Sequence, residues 1–284
     1  MPELPEVETT KRGIEPHITN RTISNISVFD SRLRWPVPAE LITHCTGQKI
    51  TAVSRRAKYI LLTLQTHCML IHLGMSGSLR MADVSTLRQK HDHLEIILSD
   101  QGRLLFNDPR RFGSIIVCQR EQIDQHKLLA ELGPEPLEGG FHGTYLYQRS
   151  KSMRTAPAQG KSKSKTVPVK SFIMDQRIVV GVGNIYANEA LFLSGIHPLR
   201  KAGRISRERY QNLAINIKNV LSAAIDMGGT TLRDFVGGDG KPGYFQQTLL
   251  VYGRGDKACL RCGHVLKEIR VNQRTTVYCQ LCQK

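Results

Sequence analysis

At 284 residues the chain has room for two domains and a small appended module rather than one large fold. Its 40 Lys and Arg against 24 Asp and Glu leave a net charge of +16, an excess that points to a polyanionic partner, nucleic acid ahead of an acidic membrane surface. The longest apolar run, residues 59–64, falls well short of the ~18 residues a membrane span requires, and a start carrying Glu3, Glu6 and Glu8 does not read as a secretory leader, so a cytoplasmic protein with reduced cysteines is expected.

In chain order, Leu4, Val7, Ile14 and Ile18 recur at helical spacing on one face, which predicts an amphipathic helix ending before Pro16. Eight short strand-like segments follow, at 22–28, 50–53, 59–64, 69–73, 78–81, 93–98, 103–106 and 113–117, the pattern of a β-sandwich or barrel. Beyond residue 120 the periodicity turns helical over 123–132, 145–149, 185–193 and 206–227, the last opened by Ser206 and closed by Gly228 and Gly229. Within this region residues 149–170 hold seven Lys and Arg and no acid amid Ser, Ala and Pro, and the first two-thirds of the stretch are expected to form a flexible basic loop. A second, glycine-rich loop covers 237–245, and from about residue 248 a cysteine-bearing strand module completes the chain.

That module carries the strongest local signal. Cys259-x2-Cys262, sixteen residues, then Cys279-x2-Cys282 can present four thiolates tetrahedrally to one zinc ion, whereas a redox dithiol would need a βαβ unit that the pattern lacks. Between the knuckles the sequence VNQRTTVY places Arg274 at a hairpin turn, where its planar fork suits a phosphate and equally suits plain solvation. Cys45, Cys68 and Cys118 read as buried small hydrophobes.

Pro2 becomes a free secondary amine once the initiator Met is removed, and with an α-amino pKa near ~8 part of it is unprotonated and nucleophilic at neutral pH. Glu3 beside it is a candidate general acid/base. Lys58 precedes a strand, His91-Asp92-His93 suits a hydrogen-bonded turn or a phosphate contact better than a metal, and Arg110, Arg111 and Phe112 stand at a turn suited to insertion among stacked bases. Gly181 and Gly183 before Asn184 do not make a dinucleotide fingerprint, but they leave backbone N–H groups at a helix start able to hold one phosphate.

Taken in order, MPELPEVET, RRAKY, HLGMSG, KHDH, DPRRFG, GPEPL, VVGVGNIYANE, GGTT, DGKPGYF and LVYGR ahead of the four cysteines resemble the formamidopyrimidine-DNA glycosylase family over nearly the whole chain. The resemblance implies an α+β multidomain fold: an N-terminal helix with an eight-stranded β-sandwich over 1–120, a helix-two-turns-helix domain over 121–247 with a basic insert at 150–166, and a zinc-finger β-hairpin over 248–284. It implies a bifunctional glycosylase and abasic-site lyase of base excision repair that removes oxidised purines and then cuts the strand by β,δ-elimination. Carried over by position, Pro2 is the Schiff-base nucleophile, Glu3 its acid/base partner, Lys58 the proton donor in β-elimination and Arg274 the helper of the δ step. His91, Arg110, Lys165 and Asn184 hold the DNA backbone, Lys170 neighbours the flipped nucleotide, and Met75, Arg110 and Phe112 fill the gap it leaves. One structural zinc, double-stranded damaged DNA as partner, no membrane, a monomer, and action on the bacterial nucleoid in the cytoplasm complete the expectation. An endonuclease VIII-like enzyme for oxidised pyrimidines, and a non-catalytic DNA-binding zinc protein, are the alternatives; PELPEVET and DPRRFG favour the purine branch, and the Pro2-Glu3 start argues for catalysis. The segment after Lys151 is longer than the short basic linker usual in the family, which makes Lys165 the loosest of these assignments.

Overall fold

A computed structural model describes residues 2–152, 167–229 and 245–284. Most of the basic insert, with Lys165 in it, and all but Phe245 of the glycine-rich loop lie outside the described residues. The chain divides into two compact units, Met1–Glu131 with Ala224–Gln246 and Leu132–Ala223 with Gln247–Lys284.

The first unit opens with α1, Leu4–Ile18, whose Leu4, Val7, Ile14 and Ile18 are all buried, as their spacing requires. The helix does not stop before Pro16. Proline removes one amide donor, but the last turn holds because Thr19 N and Thr19 Oγ1 both donate to Glu15 O, at 3.1 and 2.7 Å, and Ile18 is locked in the core. After β1 (Ile23–Val28) comes a short helix that the periodicity did not announce, α2 (Glu40–Cys45). Strands β2 (Ala52–Arg56), β3 (Tyr59–Thr63), β4 (His67–His72), β5 (Ser78–Ala82), β6 (Asp92–Leu98), β7 (Arg103–Asn107) and β8 (Ser114–Gln119) complete two four-stranded antiparallel sheets, ordered β1-β6-β7-β5 and β2-β3-β4-β8. Ile96, Leu104 and Phe106 from one sheet and Ile60, Leu62, Met69, Ile71 and Ile115 from the other form a single apolar core, so the two sheets make a sandwich. Residues 123–132 are not a helix: a 3-10 turn runs over Arg120–Gln125 with no buried residue, so nothing anchors a longer one.

The second unit holds α3 (Gly143–Ser152), α4 (Val169–Ile173), α5 (Asn184–Leu193), α6 (Arg207–Asp226) up to Ala223 and the hairpin β9 (Lys267–Val271)–β10 (Arg274–Tyr278). Ser206 caps α6 by accepting from Arg209 N, and Gly228 and Gly229, both at positive φ, close it. The four-cysteine end of the chain hangs on α5. The buried Glu189 carboxylate accepts from the successive amides of Leu250, Val251 and Tyr252 at 2.8, 3.0 and 2.8 Å, and Asn188 Oδ1 accepts from Val277 N at 3.0 Å. Burial raises the Glu189 carboxyl above the ordinary carboxylate range, against the opposing pull of those three donors.

Replacing Glu189 with Ala takes the acceptor from three successive amides. The cost expected is on the order of 3 kcal/mol, less for Glu189→Gln, read as a lowered thermal midpoint of the zinc-loaded protein.

Candidate active site and nucleic-acid interface

In the first unit the chemistry starts where α1 starts. Pro2 and Glu3 are buried at the helix N-terminus, Glu3 being the N-cap, and Glu6 Oε2 accepts from Glu3 N at 2.7 Å in a capping-box arrangement that fixes the entry of the chain. Lys58 lies in the two-residue turn joining β2 to β3, only 5 % exposed. The residue before it, Ala57, is fully buried at φ +55°, a conformation that β-hairpin turns require and that glycine usually supplies. Arg55 holds this strained turn: its Nε donates to Glu8 Oε2 on α1 at 2.8 Å and its Nη1 to Ala57 O at 3.0 Å. The ion pair keeps the Glu8 carboxyl charged against the opposing effect of burial. Helix α1, with Pro2 and Glu3 at its head, and the turn bearing Lys58 are thus linked through one guanidinium. Sequence reading passed over Arg55; the signal was its place three residues before Lys58 with an acid on the facing helix.

Two loops of the same unit carry exposed apolar and basic side chains. Met75 follows β4 and is 38 % exposed; Phe112 precedes β8 and is 44 % exposed. The loops meet at their backbones. Gly74 sits at φ +66°, and a Cβ there would come within 2.4 Å of the main chain of Phe112 and Gly113, so no other residue fits. Of the two arginines, Arg111 is at φ +58° and pairs with Asp30 at 2.7 Å, while Arg110 is exposed with its guanidinium 5.0 Å from the Phe112 ring centre. His91 is half-buried; His93 is buried, its Nε2 2.8 Å from Asp108 O, and Asp92 is gripped by both Arg80 nitrogens at 2.9 and 3.0 Å. The HDH triplet is therefore a hydrogen-bonded structural node, with no metal set at it among the described residues.

His72, the last residue of β4, is half-buried beside the positive charges of Lys58 and Arg34, and desolvation first and those charges second hold its pKa at about 4; its Nδ1 accepts from Gly74 N at 3.0 Å, the tautomer that the bond demands.

In the second unit Arg274 opens β10 after a turn in which Asn272 and Gln273 both have positive φ, the two-residue form that matches strand twist. Arg274 is exposed. Lys170 is not: it is 1 % exposed on α4, with Nζ donating to Thr275 O at 3.0 Å and Thr276 Oγ1 at 2.6 Å, so its charge is spent holding the arginine-bearing hairpin. A helix as short as α4 left no periodicity by which this inward orientation was legible. Asn184, first residue of α5, donates to the same Thr275 O at 3.0 Å. Beside the hairpin lies a cavity of about 280 Å³ lined by Lys170, Ser171, Asp175, Asn272 and Arg274.

The Sγ atoms of Cys259, Cys262, Cys279 and Cys282 all lie within 4.8 Å of one another, with Cys259–Cys282 at 4.0 and Cys262–Cys279 at 3.5 Å. Four thiolates ~2.3 Å from one tetrahedral zinc stand roughly 3.8 Å apart, so the donors fit the ion. Among the described residues no helix is long and apolar enough to cross a membrane.

Known protein families match the chain in three stretches. Residues 1–115 match the formamidopyrimidine-DNA glycosylase N-terminal domain, 132–236 its H2TH domain and 256–284 the zinc finger found in FPG and IleRS. The chain is 54% identical over 284 residues, all of both chains, to the formamidopyrimidine-DNA glycosylase of Hahella chejuensis. It is similar to a single-site mutant of the Lactococcus lactis FPG in complex with Fapy-dG-containing DNA (TM-score 0.88, 31% identity, 100% of both chains) and to the L. lactis Fpg bound to abasic-site DNA (0.87, 31%, 99% of both).

Two outcomes are expected. Unfolded chains protonate His72 near its ordinary 6.5 while the folded protein refuses the proton until about 4, so stability present above pH 6.5 is lost as pH falls through that window; His72→Asn, which keeps an acceptor for Gly74 N, should flatten the pH dependence of urea unfolding there by up to one proton. Cys279→Ser should lose zinc, measured as metal per chain, together with affinity for DNA, because finger folding is coupled to the ion.

Proposed function

Because the chain belongs to the formamidopyrimidine-DNA glycosylase family, a DNA glycosylase of base excision repair with a structural zinc, we propose how its residues divide the work and on which lesions. A base inside a duplex hides its glycosidic carbon, so the nucleotide must leave the stack before any side chain reaches it. The substrate is double-stranded DNA carrying an oxidised purine, 8-oxoguanine or a formamidopyrimidine, met by a monomer on the chromosome in the cytoplasm. The L. lactis relative's complex with Fapy-dG-containing DNA supports the choice of an oxidised purine.

With the initiator Met removed, the Pro2 nitrogen attacks C1′ of the extruded nucleotide. The glycosidic bond breaks, the base departs with a proton, and an iminium joins Pro2 to the opened sugar. Glu3 shuttles protons at that sugar. Lys58 assists the β-elimination that expels the 3′ phosphate, and Arg274 assists the δ step that expels the 5′ phosphate. The observation that supports this catalytic reading best is the link Glu8–Arg55–Ala57 O, which ties the Lys58 turn to the helix headed by Pro2 and Glu3. His91, Arg110, Lys165 and Asn184 grip phosphates, and Lys170 serves by aiming the hairpin of Arg274. Met75, Arg110 and Phe112 occupy the void, offsetting an unstacking cost of roughly a few kcal/mol.

Borohydride should trap a protein–DNA adduct whose DNA-bearing peptide begins at residue 2; an adduct mapped to a lysine overturns the assignment. Glu3→Gln should keep lesion binding and lose roughly 100- to 10,000-fold in single-turnover excision. Faster turnover of thymine glycol than of 8-oxoguanine duplexes would move the enzyme to the pyrimidine branch.

A further inference from the structure

The loops that carry the exposed side chains of the first unit converge on one buried group, Asp108. It is fully buried directly after β7, yet it bears a carboxylate. Its Oδ1 accepts from Ser76 Oγ at 2.7 Å, the residue after Met75, and from Arg110 N at 3.3 Å. Its Oδ2 accepts from Gly113 N at 2.7 Å, the residue after Phe112. Ser76 Oγ in turn accepts from Arg110 N at 3.2 Å, closing a ring through both loops. The main chain of Asp108 is as heavily used. Its N–H donates to His91 O at 3.0 Å, and its carbonyl accepts from Arg111 N at 3.2 Å and His93 Nε2 at 2.8 Å. Met75, His91, Arg110 and Phe112 are therefore each either bonded to Asp108 through the backbone or adjacent to a residue that is bonded to it.

We propose that Asp108 is a positioning residue for base extrusion: its carboxylate holds the Met75 loop and the Arg110–Phe112 loop in the geometry that fills the vacated stack before DNA arrives. This rests on the void-filling reading given above. The physical case is one of cost. A buried carboxylate is unfavourable unless donors satisfy it, and here the donors come from two loops whose ladders end at His72–Ser114 and Ser78–Asn107, so that the span between those pairs is held by this group and not by a ladder. One residue in these loops, Arg111, takes a left-handed conformation that a non-glycine residue keeps only when its surroundings hold it. Loops ordered in advance spend no binding energy on ordering when the nucleotide leaves. An amide at 108 matches this set poorly, since its NH2 would face Gly113 N–H or the Ser76 hydroxyl.

The test compares two substrates under single-turnover conditions at saturating enzyme: a duplex with 8-oxoguanine, which must be unstacked, and a single-stranded abasic oligonucleotide trapped with borohydride, which has nothing to unstack. Asp108→Asn should slow the duplex reaction on the order of 10- to 100-fold and the trapping less than about threefold. In a Phe112→Ala background, Asp108→Asn should cost little further, because both changes disable one device. Ser76→Ala, which removes a single donor, should show a weaker loss with the same substrate pattern, and it decides the matter if zinc content and thermal unfolding show Asp108→Asn to be misfolded. Equal losses on both substrates, or full additivity with Phe112→Ala, overturn the proposal while leaving the void-filling reading intact. Equal losses from Phe112→Ala alone overturn that reading and the proposal with it.

Discussion

The pairing of β4 with β8 is the constraint on which the presentation of this face depends. Their last matched pair, His72 with Ser114, brings the chain leaving one strand against the chain entering the other. Only glycine at 74 lets the two backbones come that close. From there the side chains of Met75 and Phe112 have little choice of direction, and Arg111, anchored on Asp30, turns Arg110 outward over the Phe112 ring. A sandwich core of branched apolar residues supplies the rigidity, since a strand pair buried on its inner face cannot slip by one residue without moving its whole apolar set to the other side.

Charge is handled in two distinct ways. Outside, Arg110 and Arg274 are exposed, as a sequence-independent grip on phosphate requires. Inside, apart from Glu3 and Lys58, several ionisable groups are spent on architecture: Lys170 on the Thr275–Thr276 strand, Glu189 on three amides, Asp92 on Arg80, Arg55 on Glu8 and a carbonyl. Each buried charge joins segments distant in sequence, and each is satisfied by several partners, the condition under which burial of charge is tolerated.

What was legible in the sequence was whatever has a period or a fixed spacing. Short β-rich runs separated by turns located the eight strands, the spacing of Leu4, Val7, Ile14 and Ile18 located α1, and the cysteine spacing located a donor set that the geometry fits to zinc. The failures have physical causes. Pro16 did not end α1 because bonds from Thr19 and burial of Ile18 outweighed the missing amide. The 123–132 segment buries Leu129 and no second residue one turn away, and α2 and α4, at six and five residues, are too short to show a face. The bonds that Lys170 makes within the protein were not legible, because its inward path depends on oxygens more than a hundred residues downstream. Asp108 and Arg55 were overlooked for the same reason: their meaning lies in partners from other strands and loops, which no local pattern records.

Ala57 narrows what evolution or a mutant library can place at one position. Its positive φ excludes β-branched and bulky residues, and full burial excludes the Asn or Asp that ordinarily tolerate such a backbone. Among replacements glycine alone meets both conditions, but it would give the turn freedom that the unfolded chain gains as well, loosening the lysine that follows. The site should therefore be nearly invariant although it touches no substrate and carries no functional group, an example of a position whose sequence record reflects backbone geometry and whose apparent importance in a saturation scan would be mistaken for chemistry.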